Sequence, residues 1–237
     1  MSYQTPTRVN GPARNTLSGN GTLTISLTWT PVQNDVLILW ATCGATNVNP
    51  TFGTPSCTNV TWTLLKSDAT VFQTAVWIGV IGANAGTSVT VSVTGGTGTI
   101  GSVGDVAEFS WVATSITQPD KTATNNNSSG TSTSTDSGTT SSTTTSIELV
   151  VATIGAAQTN GNSMAQSSPT NGFTLLDGAS YTQGTSFSIS CGALYKIVTV
   201  EGTQDTGTAV ANGCYWDSVI ATLFTTQPLT YACHWLW

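Results

Sequence analysis

Short runs rich in apolar residues, separated by Gly, Asn, Pro and Asp, recur along the whole chain. Residues 22–29 read TLTISLTW, in which every second side chain is apolar, as in a strand with one buried face. Other runs, such as VLILWAT (36–42) and IELVVATIG (147–155), are short and rich in β-branched residues. No segment carries a 3.6-residue apolar period over three turns. The pattern predicts an all-β protein.

The apolar runs also repeat. VLILWATCGA (36–45) matches IELVVATIGA (147–156), and WTLLKSDAT (62–70) matches FTLLDGASY (173–181), both at an offset of 111 residues. Two further blocks follow in the same order: TAVWIGV (74–80) resembles GALYKIV (192–198), and GDVAEF (104–109) resembles DSVIATL (217–223). Because four blocks keep their order, we interpret the chain as an internal duplication.

Residues 128–146, SSGTSTSTDSGTTSSTTTS, are the part of the chain poorest in apolar side chains. Such composition is typical of a disordered linker. The offset of 111, however, lays residues 129–146 over residues 18–35, which contain a predicted strand. We therefore expect the run to belong to the second copy, with only residues 119–128 crossing between copies.

Strands at this spacing, with Gly- and Asn-containing turns between them, indicate antiparallel sandwiches. The predicted organisation is an N-terminal arm (1–17), a first β-sandwich repeat (18–118), the crossing segment (119–128), a second repeat (129–226) and an aromatic C-terminal tail (227–237). The sequence leaves two arrangements open: two tandem jelly-roll-like sandwiches, or one sandwich built from both repeats.

The series NDVLILWA, TWTLL, AVWIGVIG, GTSVTVSVTG, VAEFSWV, the Thr/Ser-rich segment, IELVVA, GFTLL, ALYKIV and WDSVIATLF resembles a duplicated β-sandwich module of phage structural proteins and of some bacterial surface proteins. The resemblance covers about residues 18–225 and lies in the core strands. It implies a role in decorating capsids, in building tails and fibres, or in holding glycans. It supplies no catalytic residue.

The charge and the lengths of the apolar runs exclude some classes of binding partner. Only 7% of the 237 residues are charged and the net charge is −6, so the cationic surface that nucleic-acid binding requires is missing. The longest apolar runs are much shorter than the roughly 20 residues of a membrane span. The first 17 residues hold no apolar stretch of the kind a secretory signal requires.

Residues suited to catalysis are sparse. The single histidine, His234, lies three positions from the end of the sequence, where a general base is seldom held in place. Carboxylates are spread along the chain, and no Cys or His spacing matches a metal site. We expect a protein that is not an enzyme and that uses no cofactor or metal.

Five cysteines leave two alternatives. Free buried thiols are one. The other is a pair of loop-closing disulfides, Cys43 with Cys57 in the first repeat and Cys191 with Cys214 in the second.

Both ends of the sequence suggest contacts with a partner. The tail carries Tyr231, Trp235, Leu236 and Trp237 beyond the last predicted strand, and such aromatic residues often anchor interfaces. We expect it to dock on the second sandwich or on a neighbouring subunit. In the arm, Arg8 and Arg14 are suited to an acidic partner surface, although a disordered terminus is the simpler alternative.

These features together predict a non-enzymatic virion protein. The expected role is phage capsid decoration or a place in a tail or fibre on the particle surface, bound to capsid or tail subunits and to copies of itself. The alternative is a carbohydrate-binding or adhesion module that recognises host glycans on a phage or cell surface.

Overall fold

The computed structural model describes residues 4–115 and 118–226, and every regular element within them is a β-strand. The first half contains β1 (Thr7–Ser18), β2 (Gly21–Ser26), β3 (Val36–Ala45), β4 (Thr51–Phe52), β5 (Val60–Asp68), β6 (Gln73–Ile81), β7 (Ser88–Thr94) and β8 (Ile100–Ser110). The second half contains β9 (Thr122–Ser134), β10 (Glu148–Gln158), β11 (Gln166–Ser167), β12 (Thr174–Asp177), β13 (Ser180–Gln183), β14 (Phe187–Val198) and β15 (Ala209–Phe224). The all-β prediction is confirmed.

The strands form two large sheets with the same internal order. Sheet 1 runs β1-β8-β3-β6-β5. Sheet 2 places β9, β15, β10, β14 and β12 in the corresponding positions, and β11 and β13 extend it. The central pairs of both sheets are antiparallel, β3 with β6 and β8, and β10 with β14 and β15. A duplicated module produces this correspondence.

The two large sheets pack face to face and share the largest hydrophobic core. Sheet 1 contributes Ile38, Trp40 and Phe109, and sheet 2 contributes Ile189 and Val219, among others. These side chains alternate along their strands with residues that point away from the shared core, as the pleat requires. Both repeats therefore build one central sandwich.

Sheet 1 carries an outer layer of its own. Strands β2, β7 and β4 form a three-stranded sheet, and Leu23, Ile25 and Val91 from it pack with Leu37 and Leu39 on the outer face of sheet 1. The alternation predicted for residues 22–29 thus buries its apolar side chains, because Leu23 and Ile25 are fully buried. The first repeat is therefore a sandwich in itself as well as half of the central one.

The Ser/Thr run supplies the outer layer of the second repeat. Four of its residues each donate a backbone N–H to a carbonyl of segment 202–208, and the side-chain hydroxyl of each accepts the N–H of that same partner. We call this arrangement the hydroxyl ladder. Its pairs are Thr135 with Thr208, Ser137 with Thr206, Thr140 with Gln204, and Thr143 with Gly202.

In the hydroxyl ladder a side-chain oxygen takes the place of the carbonyl acceptor of an ordinary β-ladder. The contact is repeated on the other edge of the segment, where Thr170 donates its N–H to Gly207 and accepts the Gly207 N–H. Only Ser and Thr combine a hydroxyl with so short a side chain. The low-complexity composition is therefore a requirement of this layer.

Two predicted segment boundaries differ from the structure. Residues 7–17 of the expected arm lie in β1, which pairs with β8 along its length, interrupted by two register shifts near Asn10. The expected crossing segment, 119–128, lies largely within β9, which pairs with β15. Both strands lie at sheet edges and are mostly polar, with few apolar side chains such as Ala13, Leu17 and Ala123 in the core clusters, so hydrophobic patterning did not reveal them.

The two ends of the described chain meet at one pole. The Gln4 N–H donates to the Thr226 carbonyl at 3.3 Å, and the Thr226 N–H donates to the Trp111 carbonyl at 3.0 Å. We call this region the terminal pole. Trp111 is 51% exposed there. No helix that is long and apolar enough to cross a membrane occurs in residues 4–115 and 118–226.

Candidate functional site

A cleft opens where the two large sheets meet, at the end of β3 and β10. Its volume is about 190 Å³. Both repeats line it, and the three rings among its lining residues are Phe72, Phe187 and Tyr215. The other lining residues are Gly44, Ala45, Asn49, Val71, Ala157, Gln158 and Thr159. We call this feature the inter-repeat cleft.

Glycines in the two central strands allow the rings to approach the backbone. A Cβ at Gly44 would lie 3.2 Å from Phe72 and 3.3 Å from Phe187, and a Cβ at Gly155 would overlap Thr74. Gly44 and Gly155 occupy the same position in the two matched blocks, ATCGA and ATIGA. A glycine inside a strand often marks such a close approach, so this pair is the signal that could have pointed to the site and that sequence reasoning did not use.

Asp217 holds one wall of the cleft. This fully buried residue of β15 accepts hydrogen bonds from the backbone N–H groups of Val71, at 2.9 Å, and Phe72, at 2.7 Å. Burial raises the pKa of Asp217 to about 6, and the two N–H donors oppose that rise. The carboxylate of the second repeat therefore fixes a loop of the first.

The polar groups at the rim of the cleft are already engaged. The Asn49 side-chain amide donates to the Val71 carbonyl and accepts the Ala45 N–H. The Gln158 amide donates to the Gly130 and Gly213 carbonyls and accepts the Thr159 N–H. No charged side chain is among the lining residues. The cleft consequently offers an apolar, aromatic surface.

A second buried carboxylate, Asp105 of β8, lies between the sheets beside Cys191. Within residues 4–115 and 118–226, neither of its oxygens has a hydrogen-bond partner. Burial raises the pKa of Asp105 well above its usual value, with a further rise from the Asp177 charge, while the Arg14 charge lowers it. Burial and the Asp105 charge also raise the pKa of Cys191, so this thiol is no nucleophile.

The two arginines assigned to a partner surface contact the second repeat of their own chain. Arg14 forms an ion pair of 2.9 Å with Asp177 and donates to the Ala179 carbonyl at 2.7 Å. Arg8 lies 6.0 Å from the centre of the Tyr195 ring. Strand β1 places both arginines along the seam between the repeats, and the expectation that they meet a separate acidic partner stays a prediction.

The predicted disulfides are absent from the described part of the chain, where Cys43, Cys57, Cys191 and Cys214 are free and buried. Three of the thiols donate to backbone carbonyls instead: Cys43 to Pro50, Cys57 to Gly86, and Cys214 to Ser132. Burial raises the pKa of Cys43 and of Cys57, and that of Cys214 to about 12. Free buried thiols, the first alternative, are what the structure contains.

The remaining predicted site residues, Tyr231, Trp235, Leu236 and Trp237, lie outside the described residues. In the described ranges, no three His, Cys, Asp or Glu side chains are grouped so as to hold a metal ion. Sequence reasoning missed Phe72, Phe187, Tyr215 and Asp217, which lie far apart along the chain.

Comparison of the chain with protein-family models, with curated proteins and with solved structures gave no match, so the residues and geometry described above carry the functional argument.

Proposed function

We propose that the chain is a non-enzymatic structural protein of a virus particle, a phage capsid decoration protein or a tail or fibre component. It acts through contacts with capsid or tail subunits and with copies of itself on the particle surface. One observation carries the proposal: side chains capable of chemistry serve internal contacts. Asp217 holds a loop, Arg14 binds Asp177, and the Cys43 thiol donates to a carbonyl.

The architecture supports the same role. Two repeats that share a central core and carry outer layers form a thick all-β body over residues 4–115 and 118–226. With 7% charged residues, such a body presents mainly hydroxyl and amide groups to its surroundings. A rigid surface of this kind suits repeated protein contacts in an assembly, because little conformational entropy is lost when it binds.

The proposal is tested on particles purified from the natural host. Mass spectrometry of density-banded particles should find the chain in a fixed ratio to the major capsid or tail subunit, and cryo-electron microscopy should show it at regular positions. Deleting the gene should remove that density. A chain that stays in the soluble fraction, with no particle-bound pool, would contradict the proposal.

A carbohydrate-binding role ranks lower. Sugar rings stack on aromatic faces, but sugar recognition also needs unengaged polar groups. The Asn49 and Gln158 amides at the cleft are bonded internally. Saturable binding on a glycan array, with a matching change in tryptophan fluorescence, would reverse this ranking.

A further inference from the structure

We propose that the inter-repeat cleft receives an aromatic side chain from the C-terminal tail, residues 227–237, of a second copy of the chain. Copies would then join head to tail. This inference deepens the proposed structural role and rests on it, since it names a partner for the cleft. It requires a cleft that accepts a ring, a tail that supplies one, and a geometry that directs the tail to a neighbour.

The cleft meets the first requirement. Phe72, Phe187 and Tyr215 bring three rings to one opening, and the engaged Asn49 and Gln158 amides leave it no unsatisfied rim amide. Its volume of about 190 Å³ is below the range of roughly 300–1,000 Å³ typical of small-molecule sites. A single aromatic side chain fits these properties better than a polar metabolite or a sugar chain.

The tail meets the second requirement. Residues 227–237 read QPLTYACHWLW, which includes two tryptophans and a tyrosine and carries no acidic or basic residue other than His234. Tryptophan and tyrosine are enriched among the residues that dominate protein interfaces. The tail follows Thr226, which lies at the terminal pole beside the exposed Trp111.

The cleft and the terminal pole lie at opposite ends of the molecule. Strand β10 pairs with β15 from Glu148 opposite Phe224, near the terminal pole, to Ala157 opposite Tyr215, in the cleft. Strand β3 likewise runs from Val36, opposite Phe109, to Gly44 and Ala45 in the cleft. A tail that leaves the terminal pole therefore starts at the wrong end of its own chain to enter its own cleft.

The length of the tail can be compared with the distance from the terminal pole to the cleft of the same chain. Tyr215 and Thr226 are eleven residues apart, about 36 Å along an extended strand at about 3.3 Å per residue. Trp235 is nine residues beyond Thr226, so its Cα lies at most about 32 Å from the Cα of Thr226. Trp237 reaches at most about 40 Å, and only if the tail runs straight back along the protein surface. When copies stack with the terminal pole of one against the cleft end of the next, the tail reaches the neighbouring cleft without having to run back along its own chain.

A contact between a tail and a cleft is heterologous, because the two surfaces differ. Such contacts close into rings when the rotation between copies permits and otherwise propagate as filaments. Either product is a natural component of a tail, a fibre or a ring of decoration subunits.

Two variants of the full chain each disable one of the two contact surfaces, the tail or the cleft. The double substitution W235A/W237A removes the two indole rings of the tail and leaves the cleft intact. Ala45→Glu places a charge at the mouth of the cleft and leaves the tail intact. Ala83→Glu, an exposed alanine that does not line the cleft, is the matched control. A reductant is present throughout because Cys233 lies in the tail.

Sedimentation velocity over a concentration series measures the association. The wild type and A83E should form species larger than dimers as concentration rises. W235A/W237A and A45E should each weaken association by about 30-fold or more, the size expected for an aromatic hot spot. Mixing the two defective variants should give a 1:1 dimer that grows no further, because one intact tail meets one intact cleft.

Circular dichroism and the melting temperature of A45E, compared with those of A83E, show that A45E is folded. A synthetic peptide of residues 227–237 should bind W235A/W237A and fail to bind A45E. A wild type that stays monomeric up to about 0.5 mM, or a mixture that gives no dimer, overturns the inference. If such a monomer still occupies particles, the head-to-tail contact is wrong and the proposed function stands.

Discussion

Single buried side chains set the properties of the seam between the repeats. Asp105 and Asp217 both lie in the interior that the two large sheets share, and burial raises the pKa of each. Asp217 is compensated by two backbone N–H donors, whereas neither oxygen of Asp105 has a partner within the described residues. The two carboxylates therefore contribute differently: Asp217 fixes a loop, and Asp105 is a cost that protonation relieves.

Asp105 should make the protein more stable in mild acid than at neutral pH. Its folded-state pKa lies above its unfolded-state value, so the folded chain holds a proton that the unfolded chain has released. The resulting stability is fully present below about pH 4 and is lost as pH rises through the folded-state pKa. Asp217, with a pKa of about 6, adds to the same trend between about pH 4 and 6.

Asp105→Asn should remove the Asp105 part of this dependence. We expect the variant to gain about 1–3 kcal/mol of unfolding free energy over the wild type at pH 7.5, since it has no carboxyl that folding must either keep protonated or bury as a charge. At pH 4.5 the gain should be much smaller. Urea denaturation at both pH values measures it, and the exposed Asp136→Asn is the control. Equal effects at the two pH values would refute the role given to Asp105.

The Arg14–Asp177 pair joins the repeats at the edge of the seam, and each side chain is only 19% exposed. A double-mutant cycle with Arg14→Met and Asp177→Asn should give a coupling free energy of about 1–2 kcal/mol. Arg8→Met, on the same strand, removes a partly exposed contact to Tyr195 and should cost less than about 1 kcal/mol. A coupling indistinguishable from zero would show that the pair does not hold the repeats together.

The individual elements show which parts of the fold local patterning can predict. VLILWATCGA and IELVVATIGA became β3 and β10 because a run of apolar residues has few alternatives to burial. Strand β1, TRVNGPARNTLS, was missed because an edge strand needs backbone partners more than apolar side chains. The inter-repeat cleft was missed because Gly44, Phe72, Phe187 and Tyr215 meet only through long-range packing.

The hydroxyl ladder was predicted only in part from the sequence. The repeat offset located residues 129–146 in a folded layer, but nothing in the sequence identified segment 202–208 as its partner. The pairing depends on hydroxyls opposite backbone N–H groups that lie 59–73 residues further along the chain. The amino-acid composition shows that hydroxyl groups are present, but it does not identify their hydrogen-bond partners.

Thr140→Val tests the ladder with little change in shape. It removes the acceptor of the buried Gln204 N–H and should cost about 1–3 kcal/mol. Thr140→Ser keeps the hydroxyl and should cost distinctly less. Hydrogen exchange at the Gln204 amide should accelerate only in the valine variant, and exposed Thr133→Val should change neither quantity. Rapid proteolysis within residues 135–143 of the wild type would contradict the ladder.

At the scale of the whole molecule, the two repeats pack like the subunits of a symmetric dimer. Strand β3 packs on its counterpart β10. The contact of β14 with β8 has its equivalent in that of β15 with β6, and the contact of β14 with β3 in that of β10 with β6. This reciprocity is the mark of an isologous interface with a two-fold axis between β3 and β10. Fusion within one chain makes the interface permanent and leaves the two poles different.

Because both repeats complete the same core, they should unfold together. Differential scanning calorimetry of the full chain tests this most directly, in the wild type and in Trp40→Ala, which removes a fully buried ring of the shared core. We predict a single transition in both, with equal calorimetric and van't Hoff enthalpies, and a loss of about 3–5 kcal/mol in the variant. Two transitions, only one of them displaced by the substitution, would contradict the shared core.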